Sequence, residues 1–325
     1  MDRKLLDRLQ AGFPLADRPY AELGAELGLD EAEALARVRR LADAGLIRRI
    51  GPVVDPHRLG RVGTLVAAAV PRERLAEVAA PISACQGVSH SYLRRPRRGQ
   101  CPYNLWFTLS AESPEALQAT LQRLARETGL DLHSLPSRRK FKLAVRFRFS
   151  EAEDPGAGPA AHRLPQGDGQ ECGPDELDRH VLRATQDGLP LEPQPYAPPA
   201  EVLGLETATL LARLRAMLSR GVVRRVAASI AHRNAGFRAN LMCVWRVEPD
   251  QVESFGREAA AWPQVTHCYE RKTAPRWPYN VYAMVHGRDM SEAEAVVDAI
   301  CRRTGRDDCV VLESTRELKK TWTRI

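Results

Sequence analysis

The 325-residue chain holds no apolar run near the roughly 18 residues of a membrane span. Its opening, Met1-Asp2-Arg3-Lys4, leads into no apolar stretch of signal-peptide length. Membrane-spanning and exported classes are thereby set aside, and a cytoplasmic protein is expected. Cysteine is sparse and scattered: Cys85, Cys101, Cys172, Cys243, Cys268, Cys301 and Cys309 are odd in number and form no CxxC pair. That argues against a disulfide framework and against a zinc or iron–sulfur site. Acidic residues are outnumbered, 41 against 48 basic ones, for a net charge of +7. A basic surface suits nucleic acid, and it equally suits a polyanionic small molecule. Arginine dominates the excess, in clusters at Arg94-Arg95-Pro96-Arg97-Arg98 and Arg138-Arg139-Lys140. Its planar fork grips carboxylates bidentately.

What is present is a repeat. Val88-Ser89-His90-Ser91-Tyr92-Leu93-Arg94, followed by Pro102-Tyr103-Asn104, returns as Val265-Thr266-His267-Cys268-Tyr269-Glu270-Arg271, followed by Pro278-Tyr279-Asn280. Gly12-Phe13-Pro14-Leu15 answers to Gly188-Leu189-Pro190-Leu191, and Gly45-Leu46-Ile47-Arg48-Arg49 to Gly221-Val222-Val223-Arg224-Arg225. Lys142 answers to Lys319. The offset is 176 residues, rising to 177 around the histidine segment. Between the copies, nine of the 24 residues from 151 to 174 are Pro or Gly, the composition of a flexible, semi-extended linker.

Each half reads as three helices, a short hairpin and a β-α-β-β-α-β run. Leu5, Leu6 and Leu9 stripe the first helix, Asp2–Ala11, and Leu35, Val38 and Leu41 stripe the third, Asp30–Ala44. Ile47–Val54, with Gly51-Pro52 at its turn, supplies the hairpin of a winged helix-turn-helix. Strands are expected at Gly63–Val70, Val88–Arg94, Tyr103–Ser110 and Leu130–Leu135, with helices at Arg72–Cys85 and Ser113–Thr128. A strand-like tail ends each half, Lys142–Phe149 and Leu318–Arg324. The fold class is therefore α+β, a tandem duplication of a winged helix-turn-helix and a ferredoxin-like sandwich. The expected domains are 1–60, 61–150, a linker at 151–174, then 175–236 and 237–325.

This combination resembles the Lrp/AsnC family of regulators, which implies DNA binding through the third helix. The residues fit that poorly. The third helix opens Asp30-Glu31-Ala32-Glu33-Ala34, whose carboxylates repel the phosphate backbone. Its duplicate, Leu205-Glu206-Thr207-Ala208-Thr209, is no more basic, and Pro198-Pro199 shorten the helix before it. Arg37, Arg39 and Arg40 lie further along and could still meet phosphate. Nucleic acid is not the expected partner.

On a strand, His90, Tyr92 and Arg94 leave one face, as do His267, Tyr269 and Arg271. Residues two apart lie ~6.6 Å apart and those four apart ~13 Å, a spacing that suits a large flat ligand with His near its centre and Arg near its rim. Val-Ser-His-Ser-Tyr-Leu-Arg, followed by Tyr103-Asn104-Leu105-Trp106-Phe107, resembles the siroheme decarboxylases, Lrp-like proteins turned from DNA to tetrapyrrole. The resemblance covers nearly the whole chain apart from the linker and looks like their two subunits fused, the form associated with haem d1 biosynthesis.

The resemblance implies non-oxidative loss of carbon dioxide from two acetate side chains of siroheme, whose iron belongs to the substrate. No cofactor is implied. It also implies that the sheet faces of the two halves pack together. A homodimer of the fused chain stays open. His90 and His267 are the leading candidates, as axial ligands of the substrate iron or as proton donors. Tyr92 and Tyr269 are further proton donors. Arg94, Arg95, Arg97 and Arg271 are carboxylate clamps, with Tyr103, Tyr279, Lys142 and Lys319 as further substrate contacts. Asn104 and Asn280 are expected to fix the strand turn. The alternatives are a DNA-binding regulator and a haem-binding sensor.

Overall fold

The structure is a computed structural model that describes residues 1–143, 147, 149, 173–231, 234–274 and 276–321. The expected linker, apart from Gly173 and Pro174, residues 144–146 and 148 of the first strand-like tail and residues 322–324 of the second lie outside the described residues. In chain order the first half runs α1 (Asp2–Ala11), α2 (Pro19–Leu27), α3 (Glu31–Asp43), β1 (Ile47–Val54), β2 (Val62–Ala68), α4 (Leu75–Ala84), β3 (Val88–Arg98), β4 (Leu105–Ala111), α5 (Pro114–Thr128) and β5 (His133–Leu143). The second runs α6 (Glu176–Thr185), α7 (Ala197–Val202), α8 (Thr207–Ser219), β6 (Val223–Ile230), β7 (Ala239–Trp245), α9 (Val252–Ala261), β8 (Val265–Arg271), β9 (Val281–Gly287), α10 (Met290–Thr304) and β10 (Cys309–Lys320). No helix among the described residues is long and apolar enough to cross a membrane.

The chain divides into two compact units that pair like with like. One gathers the described residues of Met1–Gly60 and Arg146–Ala235, and the other those of Arg61–Val145 and Gly236–Thr323.

In the first unit, the expected stripe of Leu5, Leu6 and Leu9 is buried along α1. Asp30 caps α3, its carboxylate accepting from the Glu33 N–H at 2.7 Å. The prolines of α7 fall in its first turn, where a missing N–H costs no helical bond, and the helix runs six residues against nine in α2.

The expected hairpin does not form. Ile47–Val54 is one continuous strand, paired antiparallel with β6, with Gly51 opposite Ala227 and Pro52 opposite Val226. Gly51 serves close packing instead of a turn: a Cβ there would lie 3.0 Å from the Thr185 carbonyl oxygen and 2.8 Å from Arg49 Nη1. Each strand is lengthened at its side by the opposite copy, the Phe13 N–H donating to Val226 O and the Leu189 N–H to Ile50 O.

Two of the three arginines that might have met phosphate, Arg37 and Arg39, are engaged within the unit. Arg39 donates from Nε and Nη2 to the Leu191 carbonyl at 2.9 and 2.7 Å, and its counterpart Arg215 donates to the Leu15 carbonyl. Arg37 pairs with Asp2 and Glu33.

The second unit is a closed barrel in the order β10-β3-β4-β2-β5-β8-β9-β7. Each half contributes a four-stranded sheet, and the last strand of each bridges to the other half. β5 pairs with β2 on one side and β8 on the other, and β10 pairs with β7 and β3. The expected last strand and tail are one element in each half: β5 carries bulges at Ser137/Arg139 and Lys140/Lys142, and β10 at Ser314/Arg316 and Glu317/Lys319. The bulges bend one strand across both sheets. The basic segment Arg95–Arg98, beyond the end of the expected strand Val88–Arg94, continues β3 because β10 pairs with it.

Helices cover the outside. α4 and α5 pack through Val78, Ile82, Leu121 and Leu124 on Val66, Val88, Leu105 and Phe107. α9 and α10 pack through Phe255, Val297 and Ile300 on Leu241, Val265, Val281 and Val311. A separate core fills the inside: Leu65, Ala67, Trp106, Leu135, Met242, Val244, Tyr282, Val310 and Leu312, with Tyr103 and Trp277.

Gly51→Ala is expected to destabilise the helix-turn-helix unit by about 1–3 kcal/mol, because the backbone carbonyl it meets cannot move aside. A urea titration followed by circular dichroism would register this as a lower midpoint for that unit.

Candidate active site

Strand alternation and the two core faces fix which side chains enter the barrel. Val88 and Leu93 belong to the helix-side core, and after the bulge between Val88 and His90 the side chains of His90, Tyr92 and Arg94 face inward. In β8, Val265 and Cys268 belong to the helix side, and His267, Tyr269 and Arg271 face inward. Each triad forms a packed row. The rings of His90 and Tyr92 stack at 6.4 Å, and the Arg94 guanidinium lies 5.2 Å from the Tyr92 ring. His267 and Tyr269 stack at 6.2 Å, and the Arg271 guanidinium lies 4.9 Å from Tyr269 and 5.6 Å from Tyr282.

The rows run along the barrel. At the arginine end an aromatic plug closes the interior: Tyr103, Trp106, Trp277 and Tyr279 meet at ring distances of 4.7–6.0 Å, and Trp277 Nε1 donates to Tyr282 Oη at 2.7 Å. The histidines lie at the opposite end of each row. A neighbouring hydroxyl orients each ring: His90 Nδ1 lies 3.0 Å from Ser89 Oγ, and His267 Nδ1 lies 2.9 Å from Thr266 Oγ1.

The two arginines are held differently, and Arg271 sits in a setting that disfavours charge. Arg94 is buried, donating from Nη1 to Ser314 Oγ at 2.6 Å, which in turn donates to Asn240 Oδ1 at 3.2 Å. Arg271 donates from Nη1 to the Leu135 carbonyl at 2.9 Å, and its Nε has no hydrogen-bond partner among the described residues. Burial pulls the Arg271 pKa below its ordinary value, and among the described residues no carboxylate pairs with it. A buried cation held only by a carbonyl and two phenol rings is costly to the fold and suits an anionic ligand.

Other expected contacts fall elsewhere. Arg95 and Arg97 point outside the barrel, where Arg95 pairs with Glu313 at 2.9 Å and Arg97 with Glu294 at 2.6 Å. They alternate with the inward Arg94, so continuing β3 as a strand turns them away. Lys142 and Lys319 also leave the barrel: each ammonium donates at 2.8 Å to a helix-end carbonyl, Trp262 after α9 and Cys85 after α4. Tyr103 and Tyr279 belong to the plug. Asn104 and Asn280 do fix the strand ends, each side-chain amide bonding both the N–H and the C=O of one residue, Val70 and Val247 respectively.

Several inward residues escaped sequence reading. Asn240 and Ser314 support Arg94, and buried His286 lies opposite Asn240 across β7 and β9. Counting by twos from Tyr282 through Met284 would have found His286. Lys140 and Glu317 lie opposite Tyr269 and Tyr92, but no local signal announces which strand pairs there. An open groove of about 540 Å³, lined by Arg61, Cys85, Arg123 and Glu127, lies on the helix side, away from both rows.

The profile of the AsnC-like ligand binding domain matches residues 58–142 and 234–319, and that of the siroheme decarboxylase NirDL-like HTH domain matches 2–48 and 178–224. Fold and site thus define a tandem AsnC-like ligand-binding protein carrying its own helix-turn-helix pair. A siroheme decarboxylase of Hydrogenobacter thermophilus is 35% identical over 98% of this chain and 92% of its own length. The siroheme decarboxylase NirDL subunit of Paracoccus pantotrophus is 37% identical over 91% of this chain and 88% of its own. The crystal structure of the siroheme decarboxylase NirDL superposes with a TM-score of 0.73 at 30% identity, covering 99% of this chain and 93% of that one. Its co-complex with an iron-uroporphyrin III analogue superposes with a TM-score of 0.71. The chain belongs to the siroheme decarboxylase family, whose members are carboxy-lyases.

Lys142 offers a check on its position outside the barrel. Burial pushes its pKa from 10.5 down to about 8. Between those values the unfolded chain holds a proton that the folded chain does not, so this residue makes stability rise with pH across that window. In Lys142→Met that contribution is expected to vanish, and urea midpoints of the two proteins from pH 8 to 10.5 would diverge accordingly.

Proposed function

We propose that the chain is a siroheme decarboxylase that removes carbon dioxide from two acetate side chains of siroheme, giving didecarboxysiroheme in haem d1 biosynthesis. The carrying observation is the pair of inward His-Tyr-Arg rows, each ending on an arginine inside the barrel. A polycarboxylate macrocycle would supply an anionic partner for the buried Arg271 guanidinium. The name of the family and the tetrapyrrole analogue bound by a 30%-identical relative support the same substrate class.

The chemistry sets three demands. In each decarboxylation the bond between the acetate methylene and its carboxyl carbon breaks, and its electron pair needs a sink. Protonation of the adjacent pyrrole carbon provides one. After carbon dioxide leaves, the methylene carbon takes up a proton and the ring carbon releases one, so each acetate consumes one proton net. The first demand is therefore a placed acid. His90 and His267 fill this role, with Tyr92 and Tyr269 as relays 6.2–6.4 Å away, ring to ring. With Nδ1 held by a hydroxyl, Nε2 is the nitrogen that donates the proton or ligates the substrate iron. One imidazole does not do both at once, so the two histidines divide the tasks.

The second demand is orientation. Arg94 and Arg271 hold peripheral carboxylates so that the reacting acetate stands perpendicular to the ring. The third is an apolar setting that favours loss of the carboxylate charge, which Trp106, opposite Tyr92, and Tyr282, beside Arg271, furnish.

His90→Ala and His267→Ala are each expected to lower the decarboxylation rate by about 10²-fold or more. Siroheme would be added anaerobically, the Soret band followed for binding, and the product mass followed for loss of two carbon dioxide units. Wild-type rates in both variants would remove the histidines from the mechanism. A Soret shift without mass loss in the wild type would make the chain a tetrapyrrole sensor.

A further inference from the structure

The two bridging strands dock on the helices of the opposite repeat through matching positions. In each, the residue inside the second bulge packs on the helix-side core, Phe141 of β5 on that of the second half and Leu318 of β10 on that of the first. The lysine that follows reaches a carbonyl at the end of a helix, Lys142 after α9 and Lys319 after α4. The lysine contacts are alike, and the other contacts are not.

Phe141 lies across Gly256, in the middle of α9. The nearest atoms to a Cβ built on Gly256 would all be carbons of the Phe141 ring, one at 2.5 Å and two closer. The backbone there is not left-handed, so the helix itself has no need of glycine. A glycine inside a helix costs stability relative to alanine. What the position supplies is a hole, and the ring fills it. The ring is braced on both sides. The Arg139 guanidinium lies over it at 5.9 Å, and Lys142, the next residue, is tied to the Trp262 carbonyl. Arg139 also pairs with Glu253, one turn before Gly256, and with Glu270 at 3.4 Å.

The first repeat offers a different surface. At the offset of 177 residues, Ala79 of α4 holds the place of Gly256, Ala76 that of Glu253 and Leu93 that of Glu270. Leu318, smaller than phenylalanine, packs on the core that contains Val78 and Ile82, on either side of Ala79 in α4. Set on α4, Phe141 would meet a methyl group where it now meets none, and Arg139 would face Ala76 and Leu93. Set on α9, Leu318 would leave part of the hole empty. Overfilling and underfilling a packed contact both cost stability.

We infer that the face made by α9 and β8 is a selective docking surface for the bridging strand of the unlike repeat. Its hole takes an aromatic side chain, and its two glutamates take the arginine two residues earlier. The matching face of α4 and β3 rejects that strand. The barrel therefore closes between unlike repeats and not between two copies of the first. Selection of this kind works by penalising the wrong partner as much as by favouring the right one.

The test uses the full chain carrying Gly256→Ala, Phe141→Leu, Leu318→Phe or Ala79→Gly. Two double variants join them, Phe141→Leu with Gly256→Ala and Leu318→Phe with Ala79→Gly. The five tryptophans all fall within the segments of the barrel unit, so their fluorescence in urea follows that unit. Gly256→Ala is expected to lower the urea midpoint of the wild type by about 0.5 M or more. In the Phe141→Leu background the same substitution is expected to raise the midpoint, because alanine there only improves the helix. Leu318→Phe is expected to lower the midpoint, and Ala79→Gly to restore part of the loss. If Gly256→Ala shifts the midpoint alike in both backgrounds, the hole has no role and the inference is overturned. If Leu318→Phe leaves the midpoint unchanged while Ala79 is in place, the first face accepts an aromatic strand and the selectivity is overturned. Should Gly256→Ala fail to fold, a folded chain on adding Phe141→Leu supports the inference, and continued failure overturns it.

Discussion

The barrel depends on the exchange of one strand from each half. β5 and β10 each bond to a strand of their own repeat on one side and to a strand of the other repeat on the other. Without that exchange each ferredoxin-like sheet would present two unpaired edges, which invite association with other chains. With it, every strand of the barrel has two neighbours. The exchange also shapes the candidate site, because the residues on one side of each His-Tyr-Arg row come from the other repeat. Ser314, which bonds Arg94, belongs to the second half, and Leu135, whose carbonyl receives Arg271, belongs to the first.

Closure explains why arginines are tolerated inside. A barrel of eight strands has an interior just wide enough for side chains or one small ligand. The aromatic plug fills the arginine end, and Tyr92, Tyr269 and Tyr282 turn ring faces to the two guanidinium groups. Those faces offset part of the desolvation cost through cation–π contact. The remainder of that cost is what an incoming carboxylate would relieve.

Much of this was legible in the sequence, for reasons specific to each element. The repeat, the helices and the inward rows are local patterns: leucine periodicity in α1 and α3, Asp30 as a cap, and alternation of His, Tyr and Arg. Asn104 and Asn280 also did as expected. The failures share one cause. Gly51-Pro52 looks like a turn because a turn and a tightly packed strand both use glycine, and only the distant Thr185 carbonyl decides between them. Arg95–Arg98 looks like a loop until β10 arrives beside it, and Lys142 looks like a pocket lysine until the end of α9 is placed. In each case a partner more than a hundred residues away settles the local conformation.

The chain passes between its two compact units more than once, so neither unit is built from a single continuous stretch. A lone repeat contains only half of each. A repeat made as a separate chain would carry one His-Tyr-Arg row and one bridging strand. Separate chains of this kind must find the right companion. Carrying both repeats in one polypeptide fixes their stoichiometry at one to one. Fusion thus makes the pairing of two unlike repeats a property of the gene, independent of subunit concentrations.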